Sequence, residues 1–352
     1  MNTLNTDGIK KIEPRCPVFN DCGGCQYQDI SYGDELRLKE EYLRSLFKEH
    51  LNLSDGIFHP ILASPQEYQY RNRLDLKLIQ TKITKEIFIG FSPPSHHRLI
   101  EIDACPIARP EISQLIPALK GLAKEKVTDK HRQANIVVRT GDDGRVFWGG
   151  IGRRSLQLTQ PDYLWTEIAG RKIFYSLDTF FQANLFILPE FIQILRGLDI
   201  WGEDAVFYDL YGGVGLFGIA LYDFVGKVVL MEEVEASLAL ARYNVEHHQL
   251  KNFFIHAGRV EDILPPMLTE MPGSRNIVMV DPPRAGLSDQ ALAMLNTLSN
   301  TEHLLYLSCN PETLLANCLS LRDQWNIVRV QPLDFFPRTR HLETLVVFKK
   351  KL

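Results

Sequence analysis

The spacing of apolar residues changes twice along the chain, and these changes divide the sequence into three regions. The first region, residues 1–55, contains three closely spaced cysteines and then one predicted helix. Ser31 and Asp34 resemble a capping box at the start of this helix. The apolar residues that follow at roughly helical spacing are Tyr32, Leu36, Leu43, Leu46 and Phe47. We therefore expect a single helix behind the cysteines.

The second region, residues 56–176, alternates apolar and polar residues in a way that is typical of β-strands. The clearest case is RLDLKLIQ at 73–80. The other predicted strands are 86–91, 97–103, 136–140, 145–152 and 172–177. Glycine, proline and aspartate separate these strands, and only residues 108–125 have helical spacing. The pattern predicts a β-rich central domain, without indicating its topology.

The third region, residues 177–352, alternates strands with helices. The predicted strands are 205–213, 227–233, 252–258, 276–283, 303–311 and 341–348, and the predicted helices are 216–224 and 236–250. This alternation predicts an α/β fold with a mostly parallel, doubly wound, Rossmann-like sheet. In such a sheet the ligand site lies at the carboxyl ends of the strands.

Length and charge narrow the functional classes only slightly. A chain of 352 residues fits two or three domains. The net charge of −4 and the pI of about 6.2 provide no overall attraction for nucleic acid, so an RNA partner requires a local basic surface. The sequence contains no apolar stretch of membrane-spanning length and no signal-peptide pattern, so we expect a cytoplasmic protein without membrane association.

A glycine turn opens the third region and indicates a nucleotide-type cofactor. Gly213, Gly215 and Gly218 have the GxGxxG spacing, and Glu232 ends the next predicted strand, where its carboxylate can accept from ribose hydroxyls. This geometry suits NAD and S-adenosylmethionine equally. The motif Asp281-Pro-Pro-Arg284 follows a buried strand at the same rim and favours S-adenosylmethionine, because no residues suited to hydride transfer accompany it.

Cys309 is a candidate nucleophile. A lone cysteine after a strand is more often a buried small apolar residue, but the Asn310-Pro311 turn that follows favours exposure of this thiol. Cys318, on the next helix, has the spacing of a core residue. Glu343 lies close behind an Arg/His cluster before the last strand, where a surface ion pair is the simpler interpretation.

Four other cysteines have the spacing of metal ligands. Cys16, Cys22 and Cys25 lie within ten residues, and Cys105 lies in the central region. From the spacing alone, a zinc ion and a [4Fe–4S] cluster are comparable, and a role without metal stays open. A reducing compartment argues against disulfides.

The motifs FFQAN, DLYGGVG, DPPR, SCNP and HLE, in this order, resemble the RNA uracil-C5 methyltransferases, which act on tRNA or 23S rRNA. The resemblance implies a methyltransferase domain over 177–352. Cys309 would add to C6 of a uracil, C5 would take a methyl group from S-adenosylmethionine, and Glu343 would remove the C5 proton. The implied cofactor contacts are Gln182, Tyr211, Glu232 and Asp281. Arg259 departs from the family pattern, so we assign it no contact.

The resemblance extends to the cysteines. It favours a [4Fe–4S] cluster held by the four thiolates, with a structural or RNA-positioning role rather than radical chemistry. This branch of the family makes 23S rRNA the favoured substrate and tRNA the alternative. Three further hypotheses stay open: an oxidoreductase with the cluster as electron relay, a non-catalytic RNA-binding module, and an amino-group methyltransferase.

Several basic residues are candidates for RNA contact. Arg71 and Arg73 lie in a Tyr-Arg-rich segment before a strand, with Tyr68 or Tyr70 available to stack on a base, and Arg284 is placed to stabilise a uracil enolate oxygen. Further basic positions are Lys77, His96, His97, Arg98, Arg153 and Arg154. A solvated rim is the alternative for each group. We expect a monomer that contacts RNA through these residues.

Overall fold

The computed structural model of the chain describes residues 6, 8–92, 99–128, 132–152, 155–270, 275–298 and 300–351. Three sheets account for the strands among these residues. Within the same ranges, no helix is long and apolar enough to cross a bilayer.

The cysteine segment contains a short helix α1 (Phe19–Cys22), and the predicted helix follows as α2 (Tyr32–Leu51). The side chain of Ser31 accepts a hydrogen bond from the backbone N–H of Asp34 at 3.1 Å, so the predicted cap is confirmed. The helix ends at Asn52, which has a left-handed φ of 49°. Leu43 and Phe47 are fully buried against the third region, so α2 is part of the same core.

The central region forms a five-stranded antiparallel sheet in the order β3-β2-β1-β4-β5. Its strands are β1 (Arg73–Gln80), β2 (Ile87–Phe91), β3 (Ile100–Glu101), β4 (Gln133–Thr140) and β5 (Val146–Gly149). Helix α3 (Pro110–Lys126) packs on one face of this sheet, against alternate leucines of β1. All five strands coincide with segments that the alternation predicted.

A two-stranded hairpin follows, made of β6 (Leu164–Ile168) and β7 (Arg171–Tyr175). The sequence predicted β7 but missed β6. Leu164, Ile168 and Tyr175 are buried in the core of the third region. The hairpin therefore packs with the third region, and it is also joined to the loop after β4, where the N–H of Asp142 donates to the carbonyl of Trp165.

The third region contains a seven-stranded sheet in the order β10-β9-β8-β11-β12-β14-β13. Its strands are β8 (Gly202–Leu210), β9 (Val225–Glu232), β10 (Phe253–Ala257), β11 (Arg275–Val280), β12 (Thr301–Ser308), β13 (Trp325–Leu333) and β14 (Glu343–Lys350). Its helices are α4 (Leu188–Arg196), α5 (Leu216–Ala220), α6 (Glu235–His247), α7 (Val260–Glu270), α8 (Asp289–Thr297) and α9 (Pro311–Leu321). The prediction of a doubly wound α/β sheet is confirmed.

The direction of each strand determines at which edge of the sheet its terminal polar residues lie. The five strands β10, β9, β8, β11 and β12 are mutually parallel, whereas β14 is antiparallel to both β12 and β13. The register pairs Ser308 with Thr344. The carboxyl end of β12 and the amino end of β14 therefore meet at the same edge of the sheet.

Alternate residues of the central strands enter two separate core layers, as strand geometry requires. In β8, Phe207 faces a layer formed with α4, α6 and the β6–β7 hairpin, whereas Val206 and Tyr208 face a layer formed with α2, α7, α8 and α9. The outer edge of β13 is also covered, since Phe58 and Leu62 form parallel bridges to Val330 and Leu333.

The packing of α2 predicts a large loss of stability when its buried aromatic ring is removed. We expect Phe47→Ala to lower the free energy of unfolding by about 3–5 kcal/mol, the usual cost of a cavity left by a phenylalanine. The measurement is the shift of the urea midpoint. Ile83→Ala, at a side chain that is 91% exposed, is the control and should leave the midpoint unchanged. Equal midpoints for the two variants would show that α2 is not part of the core.

Candidate active site

The carboxyl ends of four parallel strands place four predicted residues along one edge of the sheet. Tyr211 follows β8 directly, Glu232 ends β9, Asp281 follows β11, and Cys309 follows β12. The edge of such a sheet where the strands end is where α/β folds bind ligands. The fold therefore brings the predicted nucleophile and three predicted cofactor residues to one rim.

The glycine turn has the conformation that its sequence indicated. Gly213 and Gly215 have positive φ values of 55° and 92°, and Tyr211 is also left-handed, with φ 58°. The backbone N–H of Gly213 donates to the Glu232 carboxylate at 3.0 Å, and the N–H groups of Glu233 and Val234 donate to the same carboxylate at 2.8 Å. Glu232 is thus held rigidly against the turn.

Two adjacent cavities lie beside the turn and share Tyr211. Gln182, Tyr211 and Asp281 line the smaller one, of about 30 Å³. Tyr211, Glu232 and Arg259 are part of the lining of the larger one, of about 280 Å³. All four residues predicted to contact the cofactor therefore lie around one pair of cavities. Arg259, to which the sequence assigned no contact, lines the larger cavity as well.

Gln182 reaches this site from the irregular segment after β7, and its amide donates to the Asp281 carboxylate at 3.3 Å. Arg139, from β4 of the central sheet, holds this segment in place. Its fully buried guanidinium donates to the backbone carbonyls of Ser176, Thr179 and Phe181 at 2.7–3.1 Å. No local pattern predicts this role, because the residues that Arg139 binds lie about forty positions away along the chain.

Asp209 is a second residue that the sequence analysis overlooked. It is buried one position before the end of β8, and its carboxylate accepts from the N–H of Gly218 at 2.8 Å, which closes the glycine turn from behind. Burial and, to a lesser degree, the nearby carboxylates of Asp281 and Glu232 raise the pKa of Asp209 to about 8. Its position directly before the turn was the available signal.

Cys309 and Glu343 are neighbours across the β12–β14 pair. Burial raises the pKa of the Cys309 thiol to about 11, and the carboxylates of Glu343 and Asp281 add to this effect, whereas Arg284 opposes it. Glu343 is only 6% exposed, and its burial, together with Asp281, holds its pKa well above the ordinary value. The thiol, the two carboxyls and the arginine therefore act on one another within a single low-dielectric site.

Hydrogen bonds fix the two loops that carry Cys309 and Arg284. The Asn310 side chain caps α9 by accepting from the N–H groups of Glu312 and Thr313. The buried side chain of Asn317 accepts from the N–H of Leu287 at 3.0 Å and from the hydroxyl of Tyr306 at 2.6 Å. The turn after β11 is thereby attached to β12 and α9. Cys318, on the same helix, is fully buried, as predicted.

The segment before β14 adds a histidine and two arginines to the rim. Partial burial and, to a lesser degree, the charges of Arg284, Arg340 and Arg71 lower the pKa of His341 to about 4. His341 is therefore neutral at physiological pH and can accept a proton or donate a hydrogen bond. The sequence predicted this cluster but not that the side chain of His341 is half-buried.

The four predicted ligand cysteines lie together around one cavity. Cys16, Cys22, Cys25 and Cys105 line a space of about 240 Å³. Burial raises the pKa of Cys25 to about 12 and of Cys105 to about 11, and the neighbouring thiols add to both shifts. Within the described ranges, no three histidine, cysteine or acidic side chains converge as a group able to hold a metal ion.

The same cavity extends to the turn after β11 and to the segment before β14. Its wall includes Arg71, Arg284, Phe336, Thr339 and His341 in addition to the cysteines. The cysteine segment and the segment that leads into β14 are thus two walls of one space, a relation that the sequence did not predict.

The basic residues predicted to contact RNA have different surroundings. Arg71 and Arg284 line the cysteine cavity, whereas the guanidinium of Arg73 is paired with Asp75 at 2.7 Å and donates to the carbonyl of Leu177. Tyr70 is fully buried and donates to the carbonyl of Pro337, so it cannot stack on a base. The predicted contacts His96, His97, Arg98, Arg153 and Arg154 lie outside the described residues.

Comparison with known proteins adds three findings. A family model described as tRNA (Uracil-5-)-methyltransferase matches residues 152–351. An uncharacterized RNA methyltransferase of Thermosynechococcus vestitus is 27% identical over 386 residues, covering 96% of this chain and 84% of the relative. One of Clostridium tetani is 26% identical over 392 residues, covering 97% and 85%.

A solved structure has the same fold over nearly the whole chain. The crystal structure of Pyrococcus abyssi tRNA (uracil-54, C5)-methyltransferase in complex with S-adenosyl-L-homocysteine has a TM-score of 0.70 and 24% identity, covering 92% of this chain and 85% of that chain. The family model spans 200 of the 352 residues and includes the glycine turn, Cys309 and Glu343. The chain therefore belongs to the tRNA (uracil-5-)-methyltransferase family and is an S-adenosylmethionine-dependent RNA methyltransferase.

Proposed function

We propose that the enzyme methylates C5 of a uridine in RNA through a covalent bond between Cys309 and C6 of the base. The observation that carries this proposal is the register of β12 and β14, which makes the thiol of Cys309 and the carboxyl of Glu343 neighbours beside Asp281. A nucleophile and a proton acceptor at the rim of the cofactor cavities are the two groups that C5 methylation requires of the protein.

Cys309 loses its thiol proton to solvent, and the resulting thiolate forms a bond to C6 of the uracil. The C5–C6 electron pair moves so that negative charge develops at C5 and on the O4 oxygen, which the charge of Arg284 stabilises. S-adenosylmethionine supplies the methyl group. C5 then carries both a methyl group and a hydrogen. Glu343 takes that hydrogen as a proton, the C5–C6 double bond re-forms, and the bond from C6 to sulfur breaks.

The electrostatics of the site suit this order of events. The high pKa of Glu343 makes its carboxylate form a strong base toward a carbon acid. Cys309 starts as a thiol, and Arg284 is the residue whose charge favours ionisation. The neutral state of His341 adds no further positive charge at this rim.

Gln182, Tyr211, Glu232 and Asp281 would hold S-adenosylmethionine. The two cavities that share Tyr211 support this assignment. So does the Glu232 carboxylate, which ends β9 at the position where related folds bind ribose hydroxyls. Arg259 would lie at the far wall of the larger cavity.

Cys16, Cys22, Cys25 and Cys105 would hold a [4Fe–4S] cluster, which takes one thiolate at each iron. Four thiols that line one cavity support a shared metal group, and the resemblance to the cluster-bearing branch of the family favours a [4Fe–4S] cluster over zinc. The cluster would supply a structural cross-link. Residues 1–55, 56–176 and 177–352 would be the cluster segment, the central RNA-facing domain and the methyltransferase domain of a monomer.

We propose 23S rRNA as the substrate, because the four-cysteine segment resembles the rRNA-modifying branch of the family. tRNA is the second candidate, and the similarity of fold to a tRNA methyltransferase of Pyrococcus abyssi supports it. Contacts from Arg71 and Arg284 at the cavity wall would position either RNA next to Cys309.

The covalent step is tested with RNA that contains 5-fluorouridine. After methyl transfer to this base no C5 proton can be removed, so the wild-type enzyme should accumulate a stable protein–RNA adduct, measured by denaturing gel and mass spectrometry. Cys309→Ala should abolish the adduct. Glu343→Gln should form a covalent species with ordinary uridine RNA as well, because it permits addition but stalls release.

Cys318→Ala is the matched control and should retain the adduct, since that thiol is fully buried in the core. Methylation by the wild-type enzyme with no covalent species on fluorinated RNA would refute the nucleophilic role of Cys309.

The raised pKa of Cys309 predicts a characteristic pH dependence. With a pKa of about 11 the thiol is still protonated at neutral pH, so its thiolate fraction keeps rising with pH. We expect alkylation of Cys309 by iodoacetamide to become about tenfold faster per pH unit between pH 7 and 9. Arg284→Met should slow it at every pH. Peptide mass spectrometry resolves Cys309 from the other cysteines, and a plateau below pH 9 would contradict the raised pKa.

The substrate class is tested by nucleoside analysis of RNA from a strain that lacks the protein. We expect 5-methyluridine to be lost at one position of 23S rRNA and to be unchanged in tRNA. The wild-type gene should restore it, whereas the Cys309→Ala form should not. Loss from tRNA alone would reject the rRNA proposal and support the second candidate.

A further inference from the structure

We propose that Arg338 is a positioning residue that attaches the segment leading to Glu343 to the cysteine segment. Through this attachment, the group held by the four cysteines controls removal of the C5 proton but not addition of the thiol. The proposal rests on the function proposed above and assigns that group a defined effect on one step.

Arg338 has an unusual backbone for a residue with a long side chain. Its φ is +68°, in the left-handed region, and its side chain is only 3% exposed. A non-glycine residue keeps this conformation only where surrounding contacts hold it. A buried guanidinium likewise requires compensating partners. Both features mark Arg338 as a residue that the rest of the structure constrains.

Most of these constraints come from the residues directly after Cys25. The carbonyl of Arg338 accepts from the N–H groups of both Gln26 and Tyr27, at 2.9 and 3.1 Å. Its guanidinium donates to the carbonyls of Tyr27 and Ile30, at 3.2 and 2.8 Å. The two segments are therefore joined in both directions, although about 310 positions separate them in the chain.

A side-chain contact strengthens the same junction. The amide oxygen of Gln26 accepts from the N–H of Arg340 at 2.9 Å, and the amide nitrogen of Gln26 donates to the carbonyl of Gly23 at 2.7 Å. Gln26 thus connects the turn between Cys22 and Cys25 with the residue just before His341. A change in the geometry of that turn can therefore reach the segment before β14 through the Gln26 side chain as well as through the backbone bonds to Arg338.

Buried charges on α2 hold the other end of the segment. Lys39 is fully buried and lies 2.7 Å from both Glu35 and Asp334, and Glu35 also accepts from the N–H of Arg338 at 2.8 Å. The guanidinium of Arg338 also pairs with Glu67. Removing one partner from a buried ionic network leaves the remaining charges unpaired, which is strongly destabilising. The segment from Asp334 to Arg338 is therefore held in one favoured position.

The cysteine cavity gives the bound group direct access to this segment. Phe336, Thr339 and His341 line the same space as the four cysteines. The occupant of the cavity would therefore contact both sides of the junction. Glu343 follows His341 by two residues and begins β14, so its position depends on this segment.

Cys309 depends on a different set of contacts. Its loop is fixed by Asn310 at the start of α9 and by Asn317, which ties α9 to β12 and to the turn after β11. These contacts do not involve the cysteine segment. Loosening the Arg338 junction should consequently disturb the proton acceptor while leaving the nucleophile in place.

The first test measures amide hydrogen exchange in residues 336–343 of the full protein, with iron and sulfide content measured in parallel. We expect faster exchange in Arg338→Met and in wild-type protein stripped of its metal by chelation, and an intermediate rate in Arg338→Lys. Arg340→Met is the matched control: it removes an arginine from the same segment, but one whose side chain is exposed. It should leave exchange unchanged.

The second test separates the two chemical steps. In Arg338→Met, adduct formation on 5-fluorouridine RNA should stay within about twofold of wild type, whereas tritium release from RNA containing [5-³H]uridine should slow about tenfold or more. A merely structural defect would slow both steps equally, and that result, or unchanged tritium release, would overturn the proposal. Exchange that is identical in stripped and intact wild type would overturn it too.

If Arg338→Met fails to fold, Gln26→Ala tests the same junction. This substitution removes only the side chain that joins Gly23 to Arg340. We expect normal iron content, faster exchange at residues 340–343 and tritium release slowed about threefold. Unchanged exchange and release in this variant would reject the junction. Failure of the proposed function is distinguishable, because it would appear as the absence of any adduct in the wild-type enzyme.

Discussion

The reversal of one strand brings Glu343 and Cys309 to the same edge of the sheet. β14 is inserted antiparallel between β12 and β13, so its first residue, Glu343, lies beside the end of β12 and next to Cys309. In an all-parallel sheet the amino end of that strand would lie at the opposite edge, about 25 Å away for an eight-residue strand. The glycine turn, Asp281 and the cofactor cavities lie along the same rim. The reversal of β14 therefore adds a second carboxyl group, that of Glu343, to this rim.

Several acidic groups lie close together at this rim, where they are poorly solvated. Asp209, Asp281, Glu343 and the Cys309 thiol all have raised pKa values, chiefly because burial disfavours their charged forms. Such a site is suited to a ligand that carries positive charge, since a cation favours the ionised form of each neighbour. The methyl donor of this family is a sulfonium, so cofactor binding and activation of the protein's own groups are favoured by the same charge.

The sequence analysis predicted those strands and helices whose own residues form a recognisable apolar pattern. The buried parallel strands β8, β9, β11 and β12 are long apolar runs that end in distinctive motifs, and the alternation of β1 follows from one buried face. β6 and β13 were missed because they are short or mix polar with apolar residues. The residues proposed to bind the cofactor and the four cysteines that line one cavity were identified by motif. Arg139 and Arg338 were not identified, because each of these buried arginines acts through hydrogen-bond partners that are distant in the chain.

The strip formed by Phe58 and Leu62 along β13 has a consequence for biosynthesis. These residues pair with Val330 and Leu333, and Tyr32 likewise binds Asp334, so the earliest-made parts of the chain find their partners only when residues near 330 have left the ribosome. Until then the apolar face of α2 is uncovered. Contacts of such long range close slowly. The apolar face of α2 is therefore among the last surfaces of this protein to be covered during its synthesis.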